Sequence, residues 1–272
     1  MDTSKKIESI HGLIGDKLAS TLSPYRELYH KEAHSVLPPG KLIRPTLLCL
    51  FGEAFGLTFE ELVHPAIAVE LIHVSSLIHD DLPDLDNSPT RRGKPSSHVA
   101  FGSASALLTG DALVARAIHL LVAGSYNDAA KTLLTREMTK AYELLCVGQL
   151  QDLELTKLGK NEPTREMREV CYRNKTGALF SFSLLAPTII AFSKGMNCRQ
   201  LFEIIDDLGI SLGLLFQIKD DLDDVDGSDF EAAKEWEKVV ENKIEKSFVE
   251  ISTKLNLNLN FFQQYYQQIF KL

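Results

Sequence analysis

The stretch SLIHDDLPDLDNSPTRRGKPSSH, running from Ser76 to His98, places a carboxylate cluster, a turn and a cationic cluster in immediate succession. Asp80, Asp81, Asp84 and Asp86 lie within seven residues, and Arg91, Arg92 and Lys94 follow almost at once. Like charges packed about 4 Å apart repel by roughly 1 kcal/mol in water and roughly 4 kcal/mol at an effective dielectric near 20, so a fold that gathers them needs a counter-ion. A divalent cation is the natural candidate. Pro83 disfavours helical geometry at Leu82, so the incoming helix should distort there and leave Asp84 and Asp86 competing for the inward position. Spacing alone does not choose between them.

A second cluster, Asp220-Asp221-Leu222-Asp223-Asp224, ends a long apolar run through Leu201, Ile204, Ile205, Leu208, Leu212, Leu215 and Phe216. Asp220 and Asp224 are four apart and share a helix face, with Asp221 beside them. Carboxylates at a helix C-terminus face the negative end of its dipole, which is unfavourable without a cation. One acidic run alone reads as a solvated helix end. Two with the same placement, one of them next to Arg91 and Arg92, suggest two sides of a single metal site.

Hard oxygen ligands with no cysteine nearby select magnesium, manganese or calcium, and magnesium binds through one or two carboxylates plus phosphate oxygens. The adjacent arginines favour the phosphate version. An EF-hand fits poorly, because neither cluster has its glycine and terminal glutamate spacing. His30 and His34 have the spacing of a zinc pair, but Lys31 stands where the metalloprotease motif has glutamate, so a surface helix fits better. No G-x-G-x-x-G, P-loop or nucleophile elbow occurs.

Outward from these clusters the chain reads as helix. Ile7, Ile10, Ile14 and Leu18 keep one face, and Ser23 before Pro24 reads as a cap with proline at the first helical position. Lys41 to Phe55 follows the Pro38-Pro39-Gly40 turn. Thr58 and Glu61 have capping-box spacing at the start of a long helix toward Asp81, in which Pro65 can introduce a kink. Ser103 to Val122 and Asp128 to Leu158 continue the pattern, and Pro163-Thr164 opens a short charged helix. Gly177 to Phe192 is apolar nearly all round, as a central helix would be, and Asn197 caps the run into the second cluster. Leu255 to Asn260 links two further helices. Period-two alternation is almost absent, and no repeat or low-complexity linker divides the chain. The expectation is one all-α domain over 1–272, a bundle of about ten helices.

The 272 residues, 44% of them hydrophobic, suffice for a sizeable core, and a net charge of −8 with dispersed Lys and Arg argues against a nucleic-acid partner. No apolar run approaches the roughly 18 residues of a membrane span, and the N-terminus lacks signal- or transit-peptide character, so the chain reads as cytoplasmic. Cys49, Cys146, Cys171 and Cys198 are widely spaced and read as reduced core thiols.

These residues together resemble the trans-isoprenyl diphosphate synthases, the head-to-tail prenyltransferases, over Gly40 to about Asp226. IHDDLPDLD is similar to the family's first aspartate-rich motif in its form with two extra residues, which makes Asp86 the counterpart of the last aspartate and Asp84 an addition. The remaining matches fall in family order: Gly40-Lys41 with Arg44-Pro45, His73, RRGKPSSH, Thr109-Gly110-Asp111-Ala112, Gly148-Gln149 with Asp152, Lys175-Thr176-Gly177-Ala178, and Phe216-Gln217 before Asp220-Asp221. The second acidic cluster does not follow the longer metal-site pattern of terpene cyclases.

The resemblance implies the isoprenoid synthase fold around a central apolar cavity, homodimerisation, and synthesis of farnesyl or geranylgeranyl diphosphate from isopentenyl diphosphate and allylic diphosphates (dimethylallyl, geranyl or farnesyl). It implies Asp80, Asp81, Asp86, Asp220, Asp221 and Asp224 as ligands of about three magnesium ions, with manganese able to substitute. Arg91, Lys175, Thr176 and Gln217 would complete the allylic site, and Gly40, Lys41, Arg44, His73 and Arg92 the isopentenyl diphosphate site. Asp80, Asp81, Asp86, Lys175 and Asp220 would carry the catalysis. Ser75 and Ser76, one turn before the Asp pair, are small and favour products longer than geranyl, an effect that bulk at Leu113, Ala117 or Ile118 could cancel. The chain departs from the family after Asp224, where a lysine-bearing loop is missing; Lys219, Lys234 or Lys238 could substitute. The alternative is a non-catalytic or weakly active partner subunit of a heteromeric synthase, against which the intact aspartates argue.

Overall fold

The computed structural model describes residues 2–158, 163–222 and 227–270. Asp223 and Asp224 lie outside them. Twelve α-helices occur among the described residues: α1 (Thr3–Thr21), α2 (Arg26–Val36), α3 (Ile43–Ala54), α4 (Phe59–Asp80), α5 (Ser97–Phe101), α6 (Ser103–Ala123), α7 (Asp128–Thr156), α8 (Arg165–Tyr172), α9 (Ala178–Ser193), α10 (Phe202–Leu222), α11 (Gly227–Leu255) and α12 (Asn260–Phe270). The all-α expectation holds, with one small addition. Strands β1 (Thr90–Arg91) and β2 (Lys94–Pro95) pair antiparallel, Arg91 opposite Lys94.

The chain forms two compact units, Met1–Cys49 with Phe59–Tyr126 and Leu50–Thr58 with Asn127–Leu272. In the first, α4 packs along α6 and is buried over most of its circumference, as its unbroken apolar sequence requires. Glu60 and Glu61 in its first turn suit the positive end of the helix dipole. Helix geometry stops at Asp80, just before the distortion expected at Leu82: the amides of Leu82 and Asn87 donate to His79 O and Leu82 O, and that of Asp86 to Asp80 O at 2.9 Å. A tight hairpin follows. Arg92 (φ 52°) and Gly93 (φ 75°) both adopt the left-handed conformation that a two-residue hairpin turn demands.

In the second unit, α7 is capped by the Asn127 side chain on Ala130 N (2.9 Å) and α8 by Thr164 on Met167 N (3.3 Å). A π-helical turn, Arg173–Gly177, joins α8 to α9, whose residues are buried almost without exception. Backbone touches backbone where α9 meets α10: a Cβ on Gly209 would lie 2.4 Å from Ser181 Cα, and one on Gly213 2.5 Å from Gly177 Cα. Phe51, Phe248, Phe262 and Tyr266 form an aromatic cluster.

Several boundaries differ from the sequence reading. α2 starts at Arg26 behind Tyr25, while Ser23 Oγ accepts from Tyr25 N at 3.2 Å one turn early. α10 starts at Phe202 after a 3-10 turn, so Asn197 does not cap it. Cys49, Cys171 and Cys198 are buried, but Cys146 is exposed. Three helical stretches, Phe59–Asp80, Ser103–Ala123 and Arg165–Ser193, are long and apolar enough to cross a membrane by length and composition, contrary to the sequence reading. The first and third have windows 78% and 89% buried inside the protein; the second has 33%.

Candidate active site

The hairpin sends two consecutive arginines to different partners. Arg91 Nη2 donates to Asp81 Oδ1 at 2.5 Å and Nε reaches both carboxylate oxygens at 3.1 and 3.2 Å. Asp81 is only 2% exposed, so this fork supplies its counter-charge. The hydrogen bond to Asp81 raises the Arg91 pKa against the opposing effect of burial, helped by the charges of Asp81, Asp80 and Asp86. Asp86 therefore shares the electrostatic neighbourhood of Asp80 and Asp81. Asp84 is exposed.

Arg92, turned by its left-handed backbone, comes within 3.7 Å of Glu70 Oε1. Glu70 is 2% exposed on α4, and burial raises its pKa against the pull of Arg92 and Arg44. Burial lowers Arg44 to about 10, with Glu70 opposing. His73, one turn beyond Glu70, is held well below its ordinary pKa by burial and then by Arg44, Arg92 and Arg91. A neutral imidazole thus sits among three guanidinium groups. Gly40 leaves room for the Arg92 guanidinium, whose Cζ would lie 2.6 Å from a Cβ at that position. Gly40, Lys41, Asp81, Arg91, Arg92 and Lys94 line one cavity of about 320 Å³, with Lys94 Nζ bound to Leu37 O at 2.6 Å. Such a concentration of positive charge fits a diphosphate.

Sequence reading missed Glu70. Its signal was one acidic residue in the apolar run AVELIHV, where a carboxylate can be buried only if cations meet it.

One turn before the Asp pair, Ser75 Oγ donates to Gly110 O and Ser76 Oγ to His73 O, both at 2.9 Å. Both hydroxyls are spent on backbone carbonyls, so these positions present small side chains. Leu113 and Ala117 are buried and Ile118 is half-buried. Gly110 admits the His79 ring, whose Nε2 would be 2.2 Å from a Cβ at that position.

In the second unit, Lys175 Nζ pairs with Asp152 Oδ2 at 2.5 Å. Thr176 Oγ1 donates to Gln217 Oε1 at 3.2 Å, and Gln217 Nε2 to Asp221 Oδ1 at 3.4 Å. The π-turn and Gly148 make this possible: a Cβ on Gly148 would lie 2.2 Å from the Lys175 backbone nitrogen. Asp220 is exposed at the end of α10. Tyr172, which sequence reading also missed, donates its hydroxyl to Asp221 Oδ2 at 2.6 Å. Lys219 is committed to Glu237 (2.5 Å) and Glu241 (3.5 Å), and Lys234 to Glu237 (2.7 Å). Lys238 is exposed.

Among the described residues, no three His, Cys, Asp or Glu side chains form a group that could hold a metal ion. The donor set is nonetheless all oxygen, and it suits a hard cation that completes its coordination with phosphate and water.

A family model described as polyprenyl synthetase matches residues 26–256. The chain is 38% identical over 199 residues to the farnesyl diphosphate synthase of Escherichia coli strain K12, covering 71% of this chain and 64% of that protein. It is 34% identical over 200 residues to the geranylgeranyl diphosphate synthase of Cyanophora paradoxa, covering 73% and 65%. The matched segment therefore spans just under two thirds of the length of these relatives. An isoprenoid synthase family member from Thermotoga neapolitana superposes with a TM-score of 0.80 at 31% identity, covering 97% of this chain and 100% of that one.

Proposed function

Because the chain belongs to the polyprenyl synthetase family, we propose that it joins isopentenyl diphosphate head-to-tail to an allylic diphosphate, forming farnesyl or geranylgeranyl diphosphate and releasing diphosphate. The observation that carries this reading is the divergence of Arg91 and Arg92. One neutralises an aspartate of the acidic motif at 2.5 Å, and the other meets Glu70 near Arg44 and His73, so the cavity that both arginines line carries two separate cationic groups. Two anionic groups held close together need two such cradles.

Asp80, Asp81 and Asp86 in the first unit, and Asp220, Asp221 and Asp224 in the second, are the residues we assign to magnesium, about three ions with manganese able to substitute. When bound, the metal supplies charge neutralisation to the departing diphosphate. Arg91 would turn its fork to phosphate oxygens, and in the second unit Lys175, Thr176 and Gln217 are the residues we assign to an allylic diphosphate. Gly40, Lys41, Arg44, His73 and Arg92 grip isopentenyl diphosphate; neutral His73 can donate one hydrogen bond without adding a fourth positive charge. The carbon chemistry requires no side-chain nucleophile, and the released diphosphate can take the proton. An apolar surround keeps water from the allylic cation.

We further propose a homodimer. Leu107, Leu108 and Val122 on α6 are exposed, on a helix whose apolar window is only 33% buried within this chain, and a second copy would cover that face.

Titration calorimetry with magnesium and a non-ionising allylic diphosphate analogue tests the reading. A synthase binds each more tightly in the presence of the other. Metal binding indifferent to the analogue would instead make the acidic clusters a structural metal site.

A further inference from the structure

Helix α11 brings an aromatic residue against Tyr172, which itself bonds the second acidic motif. Tyr172, at the end of α8, donates to Asp221 Oδ2 at 2.6 Å. Its ring stacks on Trp236 of α11 with centroids 6.2 Å apart and planes inclined by 15°. Trp236 is buried, and the Arg165 guanidinium lies 5.1 Å from its ring centroid. The next residue of α11, Glu237, takes Lys219 and Lys234. Lys219 is therefore occupied in fastening α10 to α11, while Lys234 pairs with Glu237 within α11.

A carboxylate has about four lone-pair sites. Tyr172 and Gln217 use two of those on Asp221, one at each oxygen, which fixes the plane of the group and leaves capacity for a cation or its bound water. The donor's character matters. A lysine or arginine would offset part of the negative charge that attracts a metal, as Arg91 does at Asp81, whereas a phenol orients the carboxylate and leaves its charge intact.

We infer that Tyr172, braced by Trp236, is a positioning residue that presents Asp221 to the metal-bound allylic diphosphate, and that α11 thereby supplies order to the second acidic motif. The inference rests on the function proposed above. It adds a residue outside the family motifs and gives a role to the only tryptophan in the chain.

Tyr172→Phe keeps the ring and its stacking and removes only the hydroxyl. Loss of a hydrogen bond that orients a metal ligand lowers metal affinity by about 10–100-fold. Calorimetric titration of the full chain with magnesium, in the presence of the non-ionising allylic diphosphate analogue, should show about a tenfold weaker metal affinity in Tyr172→Phe. The KM for isopentenyl diphosphate should be unchanged. In an Asp221→Asn background the same substitution should produce no further loss, whereas a merely structural role would subtract equally in both. Trp236 emission should respond to metal plus analogue in the parent protein. If Tyr172→Phe does not fold by circular dichroism, Trp236→Leu replaces it and should weaken metal affinity in the same direction by a smaller factor. Metal affinity within twofold of the parent in the folded variant, or equal losses in both backgrounds, would overturn the inference while leaving the synthase reading standing. A parent protein that binds no metal with the analogue would remove both.

Discussion

Replacing Gly213 by alanine sets helix propensity against packing, and the close approach of α10 to the π-turn decides the sign. In an unobstructed helix interior the change would stabilise by about 1 kcal/mol. At this position the new Cβ would lie 2.5 Å from Gly177 Cα, 2.8 Å from Gly177 N and 3.0 Å from Thr176 C, all backbone atoms that cannot rotate away. Carbon atoms rest at roughly 3.5–4.0 Å, so the two segments must separate by about 1 Å. Overpacking of that kind costs about 1–3 kcal/mol, which at 2.5 Å from backbone outweighs the propensity gain and leaves a net loss of up to roughly 2 kcal/mol. The displacement also reaches the site. Thr176 and Gln217, linked at 3.2 Å, would part beyond about 3.6 Å, where a hydrogen bond no longer exists. Urea unfolding of the metal-free protein should give a lower midpoint with an unchanged slope, and the KM for the allylic primer should rise while that for isopentenyl diphosphate does not. A midpoint equal to or above the parent's would refute the claim that α10 and the π-turn touch through backbone.

Between its lowered folded pKa and the ordinary 6.5, His73 binds fewer protons folded than unfolded, so its contribution to stability is present above pH 6.5 and lost as pH falls, at up to about 1.4 kcal/mol per pH unit. His73→Gln should flatten the stability profile below pH 6.5 in chemical denaturation; a residual slope of the same sign remains from His11 and His64, both also lowered, and an unaltered slope would contradict the assignment. Glu70→Ala strips Arg44 and Arg92 of their shared carboxylate and should destabilise by about 3 kcal/mol, the low end for breaking a buried pair because Arg92 reaches solvent. A loss below about 1 kcal/mol would show that the cluster is held by other means. Asp80→Ala and Asp220→Ala should each lower turnover by about 10²–10³-fold with helicity by circular dichroism intact, since each substitution also relieves like-charge repulsion in the metal-free protein. Unfolding of either variant would count against that balance.

The helical class was legible because the signals are local. The apolar faces of α1 and α9 and the cap at Thr164 all lie within a few residues of the elements they specify. The first acidic motif and the arginine pair were legible for the same reason. What escaped depends on distant partners. Glu70 gains its meaning from Arg92, which the hairpin carries back to α4, and Tyr172 from Asp221, 49 positions further on. The hairpin itself was obscured because the turn places arginine, not asparagine or aspartate, in the left-handed position before Gly93. Cap positions slipped where a tertiary or 3-10 alternative intervened, as after Asn197. Lys219 looked available as a phosphate ligand, since nothing near it in sequence reveals that Glu237 and Glu241 will meet it from α11.

Condensation itself is the most direct test. The purified chain is incubated with magnesium, labelled isopentenyl diphosphate and, separately, dimethylallyl, geranyl and farnesyl diphosphate, and the products are resolved by chromatography. The account predicts metal-dependent extension ending at farnesyl or geranylgeranyl diphosphate, abolished by chelation. Failure to extend any primer, together with stimulation of a second synthase on mixing, would contradict it and identify the chain as a partner subunit.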